Sequence, residues 1–278
     1  MSSNSDSNPP AFNEVVNFRD FGGATSRFGG RLRTGHLFRS GQLANATADE
    51  VRRLHELDLA LIADLRHGAE RAKEPSPWAD THMVRVVCHE GGATVALDID
   101  DEPDADAPHL ALLRSAAMND EAAIDRAYLD IYRTMPFSLV YNQLFARVLQ
   151  TLAHAATNDT PRLLVHCSAG KDRTGILVSL IQHLLGVAPD DIMAEYLRSH
   201  QAPGLMARSQ GIAERVQRHY GNAPSPEVIA KVLSVSPQYL QSAFDAMTAQ
   251  CGSVDGYIES LGITPAQAQT LRERLIST

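Results

Sequence analysis

Short, continuously apolar runs along the chain predict buried strands. Leu59 to Ala63 (LALIA) is one such run, and it ends at Asp64, as expected where the carboxyl end of a parallel strand meets a polar loop. Arg162 to Val165 supplies a second run, and Met83 to Val87 has the composition of a third. We therefore expect a central, mostly parallel sheet.

Helical patterns occupy much of the remaining chain. Thr47 and Glu50 have the spacing of a capping box. Helical periodicity dominates Glu121 to about Ala155, and Ile176 to Leu185 is apolar on several faces, which predicts a largely buried helix. Further helices are expected to begin at Ser236-Pro237 and Thr264-Pro265. These patterns predict an α/β fold in which helices flank the central sheet.

Length and composition bound the number of domains. The chain has 278 residues, 44% of them hydrophobic, which suffices for one full core. We expect residues 1–12 to form a disordered leader, because the chain begins with a polar stretch rich in Ser and Asn, and residues 13–278 to form one domain. There is no signal-peptide pattern at the start and no apolar run of about 18 residues. We expect a protein that is cytoplasmic, or exported by a route without a signal peptide.

Charge and cysteine content exclude several classes of protein. The formal net charge of -8 disfavours binding to nucleic acid and to anionic membrane surfaces, so an anionic substrate must be held by local positive charge. Cys88, Cys167 and Cys251 are far apart and lack CxxC spacing, which argues against a disulfide framework and a zinc site. No metal or organic cofactor is implied.

One ten-residue segment, HCSAGKDRTG from His166 to Gly175, carries recognisable chemistry. Cys167 and Arg173 lie at the two ends of a C-x5-R loop between a predicted strand and a predicted helix. Five intervening residues can curl around a phosphate so that successive N–H groups point inward at the start of the helix. The same groups stabilise a thiolate on Cys167, and the guanidinium of Arg173 can donate two parallel hydrogen bonds to phosphoryl oxygens.

The other loop residues have supporting roles in this prediction. We expect the backbone at Ser168, Ala169 and Gly170 to bind phosphate, with Gly170 allowing close approach. Lys171 is expected to add positive charge at the rim. Thr174 can donate a hydrogen bond to the sulfur when it becomes a leaving group.

Other anion-binding loops fit this segment less well. A Walker A loop requires Ser or Thr where Asp172 stands and a glycine five residues before Gly170, which is absent. Sulfurtransferases and arsenate reductases also use a cysteine in an anion-binding loop. Neither class accounts for His166 together with the Arg173-Thr174-Gly175 ending.

The loop resembles the active-site loop of the protein tyrosine phosphatase superfamily, and within it a branch of bacterial tyrosine and phosphoinositide phosphatases that includes a secreted mycobacterial enzyme. The resemblance spans nearly the whole chain. It rests on further motifs: Asn17-Phe18-Arg19-Asp20, Leu37-Phe38-Arg39-Ser40, Ala63-Asp64-Leu65-Arg66, Ala194 to Ser199, Tyr239-Leu240, Tyr257 and Gly262.

The resemblance implies roles for particular residues. Cys167 would be the nucleophile and Arg173 the phosphate ligand, while Lys171 and Asp172 mark the branch. The chain lacks a Trp-Pro-Asp acid loop, and Asp172 is implied to be the general acid instead. Its alternative role is a structural ion pair with an arginine.

Two other polar residues are weaker candidates for the site. Asp64 is the second candidate for the general acid, because it ends a predicted core strand. His166 is expected to orient the loop as a hydrogen-bond partner rather than to carry a proton.

The substrate and the helical region after the loop leave alternatives open. The sequence predicts hydrolysis of phosphotyrosine, with phosphoinositides or phosphoserine and phosphothreonine as further substrates, and a catalytically weak phosphate-binding module is the alternative. The resemblance favours a lid formed by residues 201–232. The stripe of Leu205, Ile212 and Val216 fits a plain core face equally well.

Overall fold

A mostly parallel sheet lies at the centre of the protein. The computed structural model describes residues 12–78, 84–89, 108–157, 159–202 and 204–278. The strands within these residues are β1 (Arg19–Asp20), β2 (Arg31–Leu32), β3 (Leu37–Ser40), β4 (Leu61–Asp64), β5 (Arg85–Cys88), β6 (Leu163–His166) and β7 (Ile276–Ser277). The central sheet has the order β1-β3-β6-β4-β5 with only β1 antiparallel, and β2 pairs with β7 separately.

Helices cover the sheet, which confirms the predicted α/β class. They are α1 (Ala48–Glu56), α2 (Gly68–Lys73), α3 (Pro108–Ala117), α4 (Glu121–Thr134), α5 (Leu139–Ala155), α6 (Asp172–Leu184), α7 (Pro189–Leu197), α8 (Ser209–Tyr220), α9 (Pro226–Leu233), α10 (Pro237–Cys251), α11 (Val254–Ser260) and α12 (Pro265–Leu275). The capping box of Thr47 and Glu50 forms as expected, and α10 and α12 begin at the predicted prolines.

The register of the parallel strands determines where the loops meet. Ser40 at the end of β3 and Asp64 at the end of β4 both lie opposite His166 at the end of β6. The backbone N–H of Leu65 donates to the carbonyl of His166, at 2.8 Å. The loops that follow these three strands therefore converge at one edge of the sheet.

The central helix α6 occupies the core directly behind the last strand before the loop. Its side chains from Ile176 to Ile181 are fully buried, which confirms the prediction of a largely buried helix. The only tryptophan, Trp78, lies in a separate apolar cluster with Leu54 and Phe38 on the other side of the sheet. Trp78 is therefore a core residue, which agrees with the absence of a Trp-Pro-Asp acid loop from the sequence.

Several sequence expectations need adjustment or lie outside the described residues. β4 and β6 are each displaced toward the carboxyl end relative to the apolar runs, because cross-strand pairing continues through the polar residues Asp64 and His166. The expected leader lies outside the described residues except for Phe12, as does Met83, and β5 begins at Arg85. None of the helices in the described ranges is long and apolar enough to cross a membrane.

Candidate active site

The predicted loop forms a closed turn between β6 and α6. Cys167 directly follows β6 and is 2% exposed. The N–H of Gly170 donates to the sulfur of Cys167, at 3.3 Å. Helix α6 begins at Asp172, so the sulfur lies near the positive end of a buried helix, where negative charge is favoured.

Gly170 is required at its position for two reasons. Its φ is +70°, a conformation that L side chains rarely adopt. A Cβ there would also lie 2.4 Å from the backbone carbonyl of Ser40 and 2.5 Å from the backbone nitrogen of Gly41. The loop therefore rests directly on the end of β3.

Three carbonyl groups of the loop have partners outside it. The carbonyl of Ser168 accepts from the N–H of Gln42, at 3.0 Å. Asn17 donates to the carbonyls of Ala169 and Gly170, at 3.3 and 2.8 Å. Because a trans peptide directs its N–H opposite to its C=O, the amides that follow these carbonyls point away from those partners. Amides arranged in this way can bind an anion, and we call this group of N–H donors the nest.

A buried cluster holds these outward carbonyls in place. We call it the loop-support cluster, and its members are Asn17, Arg19, Arg39, Glu195 and Ser199. Arg39 donates to the carbonyl of Gly170 at 2.7 Å and to Glu195 at 2.6 Å. Arg19 pairs with the other carboxylate oxygen of Glu195, also at 2.6 Å, and donates to the hydroxyl of Ser199 at 2.9 Å. The motifs Asn17 to Asp20, Leu37 to Ser40 and Ala194 to Ser199 thus converge behind one loop.

The charges in the loop-support cluster are buried and mutually dependent. Burial and the neighbouring Arg39 lower the pKa of Arg19 to about 9, although Glu195 acts in the opposite direction. Burial acts to raise the pKa of Glu195, but Arg39 and Arg19 together lower it below its usual value. Removing one partner of such a buried pair typically costs about 3–5 kcal/mol, because it leaves an uncompensated charge.

Arg173 is held by a glutamate that the sequence analysis did not identify. Its guanidinium forms two hydrogen bonds to the carboxylate of Glu70, at 2.5 and 2.9 Å. Glu70 lies in α2 and also accepts from the N–H of His67, at 2.8 Å. Burial acts to raise the pKa of Glu70, but the adjacent Arg173 lowers it to about 2. The pair fixes the plane of the guanidinium beside the loop.

Tyr141 in α5 is a second residue of the site that the sequence did not reveal. Its hydroxyl lies 2.7 Å from Nε2 of His67. Burial raises the pKa of Tyr141 to about 12, although the charge of Arg173 acts to lower it. Tyr141 therefore stays protonated at neutral pH. Tyr141 is 32 positions before Arg173, and nothing in the local sequence around it indicates that it lies near this arginine.

The structure corrects the expected rim position of Lys171. The side chain is 4% exposed, and its ammonium donates to the hydroxyl of Tyr128 at 2.9 Å and to the carbonyls of Val232 and Ser234 at 2.8 and 3.0 Å. Burial lowers the pKa of Lys171, and the neighbouring Asp172 opposes this effect. The ammonium therefore ties the loop to the end of α9 instead of projecting into the mouth of the site.

Asp172, the expected acid, lies at the start of α6 with one oxygen engaged. Oδ1 accepts from the hydroxyl of Tyr132 at 2.8 Å, and that hydroxyl accepts in turn from Tyr196 at 2.8 Å. Oδ2 lies 3.4 Å from the ammonium of Lys171. The side chain is 23% exposed, so it is partly accessible to solvent.

The structural ion pair left open for Asp172 does not form with the arginines considered. Arg19 and Arg39 pair with the glutamate of the loop-support cluster. Arg66 forms two hydrogen bonds to Asp64, at 2.9 and 2.8 Å. Asp64 is thus fully engaged by its own neighbour.

The remaining predicted residues lie behind the loop. Burial acts to raise the pKa of Asp64, but His166 and Arg66 lower it below its usual value, which disfavours proton donation. His166 is fully buried, with Nε2 3.7 Å from Asp64 and a pKa lowered by burial. Neither ring nitrogen of His166 nor the hydroxyl of Thr174 has a hydrogen-bond partner among the described residues.

The region after the loop-support cluster packs directly on the loop. Leu205 is buried with Ile229 and Leu233 in a small apolar cluster that also includes Ala169 of the loop. Val216 belongs to the main core instead. The predicted stripe is therefore divided between the core and a cover over the loop.

Comparison with known proteins adds independent information. A family model described as a tyrosine phosphatase family matches residues 10–277. A Cupriavidus necator protein provisionally named as a tyrosine-protein phosphatase is 33% identical over 259 residues, which cover 92% of this chain and 85% of that protein. The triple specificity protein phosphatase PtpB of Mycobacterium tuberculosis is 31% identical over 283 residues, which cover 94% and 96%. A Nostoc commune tyrosine-protein phosphatase is 28% identical over 136 residues, which cover 49% and 44%.

Proposed function

The chain belongs to the tyrosine phosphatase family and is a cysteine-dependent phosphatase, and from this premise we propose that it hydrolyses phosphotyrosine through a phosphocysteine intermediate on Cys167. One observation carries the proposal. The carbonyls of Ser168, Ala169 and Gly170 accept from residues outside the loop, and the N–H of Gly170 donates to the sulfur of Cys167, which supports a nest of N–H donors for a phosphoryl group at this sulfur.

In the first step, the thiolate of Cys167 attacks phosphorus from the side opposite the ester oxygen. A P–S bond forms as the P–O bond breaks. The inward N–H groups and the guanidinium of Arg173 stabilise the charge that spreads over the phosphoryl oxygens. Asp172 gives its proton to the leaving oxygen, and the partial exposure of its side chain supports this role.

In the second step, water attacks the phosphocysteine. Its proton passes to the carboxylate of Asp172, the P–S bond breaks, and the electron pair returns to sulfur as inorganic phosphate forms. Thr174 is the proposed donor to that thiolate, since its hydroxyl is buried and has no partner among the described residues. His166 supports the loop from behind in its neutral form.

The substrate range is proposed to extend beyond phosphotyrosine. One relative is named for triple specificity, which supports phosphoinositides and phosphoserine or phosphothreonine as further substrates. The nest recognises the phosphoryl group shared by all of these esters, so it does not select among them. Their ranking depends on the walls of the pocket, which residues 201–232 contribute in part.

We also propose that residues 201–232 act as a cover within a single domain of residues 13–278. The apolar cluster of Leu205, Ile229 and Leu233 packs with Ala169 of the loop, which supports a cover at this position. Ser234, just after this cover, accepts a hydrogen bond from the ammonium of Lys171. This bond limits the movement of the carboxyl end of the cover.

The test combines turnover, inhibition and trapping of the intermediate. We expect vanadate-sensitive hydrolysis of p-nitrophenyl phosphate, and a phosphoryl mass on Cys167 after rapid quenching. A panel of phosphopeptides and phosphoinositides then ranks the substrates. Stoichiometric phosphate binding without turnover would instead identify a phosphate-binding module and overturn the proposal.

A further inference from the structure

The site carries less free positive charge than its sequence suggests. A phosphoryl dianion and a thiolate must be neutralised together in this proposed function, and both are poorly solvated in a buried loop. Arg173 shares its guanidinium with Glu70. The ammonium of Lys171 is taken up by a hydroxyl and two carbonyls. A further cation is therefore expected at the mouth of the loop.

Arg208 lies in the segment that covers the loop. It ends a single 3-10 turn, Met206–Arg208, which leads directly into α8. Its N–H donates to the carbonyl of Leu205 at 3.2 Å, and Leu205 belongs to the apolar cluster that packs with Ala169 of the loop. The backbone of Arg208 is therefore fixed within one turn of a cluster that contacts the loop.

A second contact fixes the same segment independently. A Cβ at Gly204 would lie 2.7 Å from the side chain of Val16. A Cβ at Gly41 would lie 2.6 Å from the same valine and 3.1 Å from the carbonyl of Ser168. Val16 thus lies between Gly204, near the start of the covering segment, and Gly41, which adjoins the loop at Ser168. This end of the covering segment is therefore packed beside the loop.

The side chain of Arg208 is partly buried. The charges that act on it are those of Glu74, Cys167, Glu70 and Arg173, so it lies within electrostatic range of the loop. Burial lowers the pKa of Arg208, and the charge of Glu74 opposes this effect. The side chain makes no hydrogen bond or ion pair with the described residues, in contrast to Arg173, so its donors remain available.

We propose that Arg208 is a substrate-binding residue, which donates from the covering segment to the phosphoryl group seated over Cys167. The proposal rests on the proposed function and adds a ligand that the loop itself does not contain. Its physical basis is that a planar guanidinium with free donors, held at the mouth of an anion nest, gains charge-assisted hydrogen bonds when a dianion enters. The covering segment is then stabilised by the substrate.

The test measures binding separately from turnover. In a Cys167→Ser background, the affinities for vanadate and for inorganic phosphate are compared by calorimetry with and without Arg208→Met, which keeps the length of the stem and removes the charge. Arg208→Lys tests whether the fork geometry contributes beyond the charge. Arg215→Met in the following helix α8 is the matched control, because Arg215 is exposed to solvent.

We expect Arg208→Met to weaken anion binding about tenfold or more, as for the loss of a charge-assisted hydrogen bond, with Arg208→Lys in between and Arg215→Met unchanged. The KM for p-nitrophenyl phosphate should rise in parallel in the Cys167-containing enzyme. Anion affinity within twofold of the parent would overturn the role of Arg208. Absence of turnover in the unmodified enzyme would overturn the proposed function, while the binding comparison would still report on Arg208.

Discussion

The pair of Glu70 and Arg173 allows a quantitative prediction, because it links stability to catalysis through one contact. Glu70→Gln removes the charge and one of the two acceptors that hold the guanidinium at 2.5 and 2.9 Å. The pKa of Glu70 falls from 4.5 to about 2 in the folded protein, a difference of about 2.5 units. At about 1.4 kcal/mol per unit this corresponds to about 3 kcal/mol of stability that depends on the ionised form of Glu70, with Arg173 as the largest favourable contribution.

Two results are expected from this substitution. The free energy of unfolding at neutral pH should fall by about 3 kcal/mol, because the charge of a nearly buried arginine loses its partner. The kcat for p-nitrophenyl phosphate should fall about 100-fold or more, since Arg173 is no longer held in the plane that matches the transferring phosphoryl group. Glu56→Gln is the control, because Glu56 is an exposed glutamate in α1.

The pH dependence gives an independent check with a defined sign. The pKa of Glu70 is depressed in the folded state, so its contribution is complete above about 4.5 and is lost as the pH falls toward about 2. The difference in unfolding free energy between the parent and Glu70→Gln should therefore shrink over this window. Denaturant titrations from neutral to acidic pH measure it. A constant difference, or unchanged kcat and stability at neutral pH, would refute the reasoning.

Three further predictions concern the residues identified from sequence. Cys167→Ser should abolish turnover of p-nitrophenyl phosphate but leave vanadate binding measurable by calorimetry, because the nest and Arg173 remain; activity within about tenfold of the parent would exclude the covalent mechanism. Arg173→Lys should lose most activity in the same assay, since a point charge cannot form the bidentate contact, and a near-silent change would contradict it. Asp172→Asn should slow alkyl phosphates far more than aryl phosphates with good leaving groups, and should remove the high-pH limb of the rate profile. Asp64→Asn should lower the unfolding free energy in denaturant titrations, while the dependence of the rate on the leaving group and on pH stays as in the parent. If Asp172→Asn instead slows all leaving groups equally, Asp172 is a positioning residue.

The local chemistry of the loop could be predicted from sequence because it is contiguous. Cys167 and Arg173 are separated by a fixed number of residues, and the strand before them and the helix after them have strong apolar patterns. Gly170 could be assigned a close approach because only glycine permits it. The fold class followed from the alternation of apolar runs and helical periodicity, which depends on local spacing alone.

The direction of each charged side chain was decided only by the tertiary structure. Lys171 and Arg173 are two residues apart. The ammonium of Lys171 nevertheless bonds a carbonyl 61 positions away, and the guanidinium of Arg173 bonds a glutamate 103 positions away. Asp172 is the first and Asp64 the second candidate acid in the sequence, and the structure separates them further because Arg66 occupies both oxygens of Asp64. Ion-pair partners are determined by which loops the parallel register of β3, β4 and β6 brings together, and this information lies in the packing of distant segments rather than in the spacing of neighbouring residues.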